Sequence, residues 1–265
     1  MLSRGSLIRL LAGGLLVVVL LPAAAYAGKT VISGHESLRV KDTLTPVGAA
    51  GVTLRLVWHD LSTKPGGPQP PYIDKSIAFA APPGLDVNAS SIPACRQSAV
   101  AKSKTGAAVC PAAAKVGTGT ATLNSRPFVP SLISAKITAY NGVDDVGGGG
   151  YRRGSRELIL EVKASAGFIY LDPFHVVTSG GTVRFVSDNP KPPSPVSPPG
   201  AFTVQKLDLT LSGPATTPYL VQTAACSGSW AFSLTITNWF GGPTISAGDQ
   251  VSCGHMWGWP RGGTL

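Results

Sequence analysis

Charge is scarce in this chain: 13% of its residues are Asp, Glu, Lys or Arg, and only 13 are acids against 22 basic residues. Glycoside hydrolysis needs two carboxylates facing each other about 5 to 9 Å apart, and few pairs here qualify. Glu157 and Glu161 share one face of a predicted strand, which is more simply a solvated strand surface. The Gly-x-Ser-x-Gly elbow of α/β-hydrolases is missing, as is the Cys-x-x-Cys spacing of structural zinc sites. No dense basic run or reading motif suggests nucleic acid. His35, His59, His175 and His255 are far apart in sequence and are expected to be structural. His59-Asp60 is an adjacent imidazole and carboxylate, expected as a polar strand end. Asp144-Asp145 lacks the repeated Asp-x-Asp spacing of a calcium loop. No metal and no cofactor is therefore expected, and the balance is against an enzyme.

What the chain does have begins at its start. Arg4 and Arg9 precede an uncharged run from Leu10 to Leu21, followed by Pro22 and Ala25-Tyr26-Ala27, the small-x-small pattern that signal peptidase accepts. Residues 1–27 are expected to be a signal peptide and residues 28–265 one secreted domain, with a possible subdivision near 190–200. The competing reading is an uncleaved anchor. The formal charge of +9 includes the two leader arginines. The remaining positive charge is scattered, as at Lys102, Lys104, Arg152, Arg153 and Arg184, and would favour weak association with anionic envelope polymers.

An exported chain with four cysteines is expected to hold them as disulfides. Three pairings are possible, and the spacing favours Cys95 with Cys110 and Cys226 with Cys253, each bracketing a short segment.

Period-two alternation recurs throughout. Val52, Leu54, Leu56 and Trp58 form one apolar face, and Leu158, Leu160 and Val162 another. Leu207, Leu209 and Leu211 repeat the pattern, as do Trp230, Phe232, Leu234 and Ile236. Such strands place one face on a core and the other toward water. Proline and glycine punctuate the intervals, with six prolines in 190–199. Only 94–114 has a modest helical flavour. The fold class is all-β, an antiparallel sandwich or jelly-roll-like pair of sheets with long Pro/Gly-rich loops.

The block Phe79-Ala80-Ala81-Pro82-Pro83-Gly84-Leu85-Asp86-Val87-Asn88, then Cys95, Cys110-Pro111 and Lys115-Val116-Gly117-Thr118-Gly119-Thr120-Ala121, resembles a pattern in secreted actinobacterial proteins of unknown function. Cys226-Ser227-Gly228-Ser229-Trp230-Ala231-Phe232 with Cys253 is similar to a companion feature of that group. The resemblance covers about half of the chain after the leader. It implies an exported all-β protein with local disulfides, and it carries over no activity and no site residues.

The aromatic tail is the best functional lead in the sequence. Trp257 and Trp259, one glycine apart and followed by Pro260, project to the same side of an extended segment, where indoles can stack on sugar rings. Arg261 adds a charge for an anionic substituent. The opposite expectation is that the tail folds back and buries both rings. The function expected first is a non-catalytic, secreted or cell-envelope-associated protein. A carbohydrate or cell-wall-polymer binding module comes second, and a hydrolase with a dispersed site third.

Overall fold

The computed structural model describes residues 36–41, 46–47, 51–60, 74–102, 110–124, 131–147, 150–189, 203–214, 216–224, 229–239 and 244–252. All belong to one compact unit, Ser33–Leu265. The leader, the prolines of 190–199, Cys226, Cys253, Trp257, Trp259 and Arg261 lie outside the described residues.

The protein is all-β, with mostly antiparallel strands. The strands in chain order are β1 (Glu36–Lys41), β2 (Pro46–Val47), β3 (Gly51–Val52), β4 (Leu54–Asp60), β5 (Asp74–Ala80), β6 (Leu85–Val87), β7 (Cys95–Arg96), β8 (Lys115–Asn124) and β9 (Ile133–Val143). They continue with β10 (Arg156–Ala164), β11 (Ile169–Ser179), β12 (Thr182–Asp188), β13 (Thr203–Leu211), β14 (Leu220–Gln222), β15 (Ser229–Asn238) and β16 (Ile245–Ser252). One α-helix is described, α1 (Gln97–Lys102). It falls inside the segment whose composition suggested helix.

A 12-stranded sheet runs β1-β4-β13-β8-β9-β10-β11-β12-β5-β15-β16, with β7 added in parallel beside β9. The sheet curls until its two outer strands, β1 and β16, meet. Strands β8 to β12 form a meander, whereas β13 returns from beyond the proline segment to pair with β4 and β8, β15 returns to pair with β5, and β16 pairs with β15. A 4-stranded sheet, β2-β3-β14-β6, accompanies it.

Alternation explains the inner surface. Trp230, Phe232, Leu234 and Ile236 are buried, while Ser229, Ala231 and Ser233 are exposed. Ile133, Ala135, Ile137 and Ala139 supply the inner face of β9. Phe79 stacks on Phe232, centroids 6.0 Å apart, and tilts against Phe185 at 6.1 Å. Between β8 and β13 the backbones approach so closely that a Cβ at Gly117 would stand 2.3 Å from the Thr210 carbonyl oxygen. Glycine is therefore required there for packing.

A second, smaller core covers the outside of the sheet. Cys95 and Cys110 form a disulfide, Cα atoms 5.4 Å apart. The stapled segment and the turn that follows it bring Cys95, Val100 and Ala114 against Tyr140 of β9 and Ile159 of β10. Strand β10 is thus buried on both faces from Glu157 to Val162. This corrects the expectation of a solvated Glu157/Glu161 face: the two side chains flank Ile159 and are 1% and 2% exposed. Alternation tells which residues share a face, but not whether another segment covers that face.

Candidate functional site

Three features stand out among the described residues. The first is a cavity of about 100 Å³ inside the curled sheet, lined by apolar side chains with Tyr170 and Asp172. Small-molecule pockets begin at about 300 Å³, so this is a packing hollow. Ser187 Oγ donates to Asp172 Oδ1 at 2.5 Å. Burial nonetheless pushes the Asp172 carboxyl up to about 6, with the hydrogen bond opposing the shift and Asp74 adding to it.

The second feature is a groove of about 520 Å³ on the outer face of β8, β9, β10 and β13. Lys136, Lys163 and Lys206 line it with Thr120, Thr122, Ser134 and Ser165. The register places Lys136 directly opposite Lys163. Like charges directly opposite each other destabilise a sheet. Glu161 compensates one of them through its Oε1, 2.5 Å from Lys163 Nζ, and that hydrogen bond raises the pKa of the ammonium. Neither Lys136 nor Lys206 forms an ion pair with a carboxylate among the described residues. Asp208, two positions beyond Lys206, is held by Arg55 through bonds of 2.9 and 2.7 Å. The register between β13 and β8 shifts between Val204 and Lys206, and irregularities of this kind bend a strand and re-aim its side chains.

The third feature lies farther along the same outer face, where one ligand atom from each of Asp144, Glu157 and His175 falls within 4.8 Å of the others. Glu157 on β10 is the ladder partner of His175 on β11. Asp144 follows β9, where its Oδ1 accepts from the backbone N–H groups of Val146 and Gly147 at 2.9 and 2.6 Å. Gly147 makes this turn at a φ of 74°, a conformation open to glycine. The neighbouring Asp145 bonds instead to Ser98, which holds its carboxyl below the ordinary range. Tyr151 stacks on the His175 ring at 3.5 Å and donates from its hydroxyl to Asp188 at 3.2 Å. Burial, reinforced by Asp144 and Asp145, pushes the Glu157 carboxyl up to about 7. Burial lowers the His175 pKa.

In the sequence Glu157 is read with Glu161 and Asp144 with Asp145, and Lys136, Lys163 and Lys206 are not singled out. Lys136, Lys163 and Lys206 were open to discovery through the parity of their strands, since each falls at an outward position. Nothing local linked Asp144 to Glu157 and His175, because their meeting depends on which strands become neighbours. Trp239 stands at the end of β15, with the Lys75 ammonium 5.0 Å over its ring and its Nε1 donating to the Asn189 carbonyl. The expected sugar contacts Trp257, Trp259 and Arg261 and the expected Cys226–Cys253 pair lie outside the described residues.

Comparison with protein-family models, with curated proteins and with solved structures gives no match.

Proposed function

We propose that the protein is an exported, non-catalytic β-sandwich-like protein that works at the cell envelope by holding an anionic wall polymer in the lysine groove. The export part rests on residues 1–27 and on the resemblance to secreted actinobacterial proteins. The binding part rests on one observation, the cross-strand Lys136–Lys163 pair with Lys206 in the same groove. An anionic chain laid across the groove would offset that repulsion, and the threonine and serine hydroxyls beside it suit sugar hydroxyls or phosphate oxygens.

The test is retention of the purified protein on immobilised polyphosphate and polygalacturonate across a salt series. Wild type is expected to be retained at low salt and released as screening shortens the Debye length toward about 8 Å near 0.15 M. The double variant K136A/K206A should elute at distinctly lower salt on at least one matrix. Equal elution of the two proteins would overturn the groove reading. The tail variant W257A/W259A/R261A forms a separate arm, and loss confined to it would move the contact to the aromatic tail.

A further inference from the structure

We propose that Asp144, Glu157 and His175 form a binding site for a divalent transition ion of the zinc type. The expectation of no metal came from local spacing alone, and this site is assembled from the end of β9, the start of β10 and the middle of β11.

Two observations carry the proposal. The first is convergence, since ligand atoms from the three side chains lie within 4.8 Å of one another and His175 Nδ1 is 3.4 Å from Glu157 Oε1. Ligand atoms around a tetrahedral zinc with bonds near 2.1 Å are about 3.4 Å apart, so a modest contraction completes the set. The second is that Glu157 is 1% exposed, yet among the described residues neither of its oxygens has a hydrogen-bond partner, nor has His175 Nδ1. Buried carboxylates in proteins are ordinarily paired, hydrogen-bonded or metal-bound. No lysine or arginine among the described residues forms an ion pair with Asp144 or Glu157. A divalent ion would balance two carboxylates with a neutral imidazole and give the orphaned oxygens their partner.

The donor set selects the ion class. Calcium and magnesium take oxygen ligands in larger number, whereas an imidazole beside two carboxylates suits zinc and its neighbours. The supports are already in place: backbone amides orient Asp144, and the Tyr151 ring holds His175 from one side.

The experiment titrates the full exported chain, stripped with EDTA and returned to buffer, with ZnCl2 by calorimetry, and with CoCl2 by visible absorption. Wild type should bind one equivalent that 1,000-fold excess CaCl2 or MgCl2 does not displace, an excess of about three decades chosen from the ligand preferences above. E157Q and H175Q, which keep side-chain bulk, should each weaken binding by at least about tenfold, while H59Q should match wild type. Near-UV circular dichroism establishes that each variant is folded. The proposal is overturned if folded wild type takes up no zinc, as it would if a shared proton satisfied Glu157 and His175. It also fails if folded E157Q and H175Q bind as wild type does, or if calcium competes on equal terms.

Discussion

Glu157 and His175 face each other across the β10–β11 ladder, with His175 Nδ1 3.4 Å from Glu157 Oε1. The pair is buried because the Cys95–Cys110 segment packs Val100, and the turn just after it packs Ala114, against Tyr140 and Ile159 on the same side of the sheet. The disulfide therefore does more than shorten the unfolded chain. It holds the cover over a face that carries two carboxylates.

Removing that staple tests the relationship. The double variant C95S/C110S should lose about 3 kcal/mol, the expectation for a closed loop of about 15 residues. Urea denaturation measures the loss. Hydrogen exchange should show the amides of β10 losing protection before those of β15, because the stapled segment packs on the outer face of β10 and not on that of β15. Uniform loss of protection would show that the segment does not act as a local cover.

Trp230 anchors the opposite part of the sheet. It is 3% exposed at the head of the Phe232–Leu234–Ile236 face. Trp230→Ala should cost about 3 to 5 kcal/mol in chemical denaturation. A cost below about 1 kcal/mol, the size typical of surface substitutions or milder, would contradict its role in the core.

Asp172 makes stability depend on pH. Burial pushes its carboxyl up to about 6 in the fold, above the ordinary value of about 3.9 for an exposed aspartate, so the native state binds the proton more tightly than the unfolded chain. The favourable contribution is complete below about pH 4 and is lost as pH rises through 6, amounting to about 3 kcal/mol at most. The Ser187 hydrogen bond opposes the rise and Asp74 adds to it. Denaturation of Asp172→Asn from pH 4 to 8 should lack this decline, and its stability relative to wild type should rise across the interval. A constant difference between the two proteins would show that Asp172 titrates normally.

Tyr219 is fully buried, and its hydroxyl has no hydrogen-bond partner among the described residues. Burial raises its pKa, so the phenol stays neutral. Tyr219→Phe removes an unsatisfied donor while keeping the ring, and it should stabilise the protein by about 1 kcal/mol. A clear loss in a thermal melt would mean that the hydroxyl has a partner, such as a buried water.

The sequence by itself determined the all-β class and the inner face of the sheet. Trp230, Phe232, Leu234 and Ile236 alternate with small or polar residues, and a strand has no other way to bury them together. The nearest cysteine pair was legible for a similar reason, since a 15-residue separation closes easily once Cys95 and Cys110 flank a compact segment. Tertiary structure alone decided what lies outside the sheet. Alternation assigns Glu157, Ile159 and Glu161 to one face, but it carries no information on the α1 segment that covers Ile159. Nor does it say that β10 lies between β9 and β11, which brings Asp144 and His175 to Glu157 and sets Lys136 opposite Lys163. Strand order is a long-range property, settled by which faces pack together and by loop closure, and chemistry spread across neighbouring strands becomes visible only once that order exists.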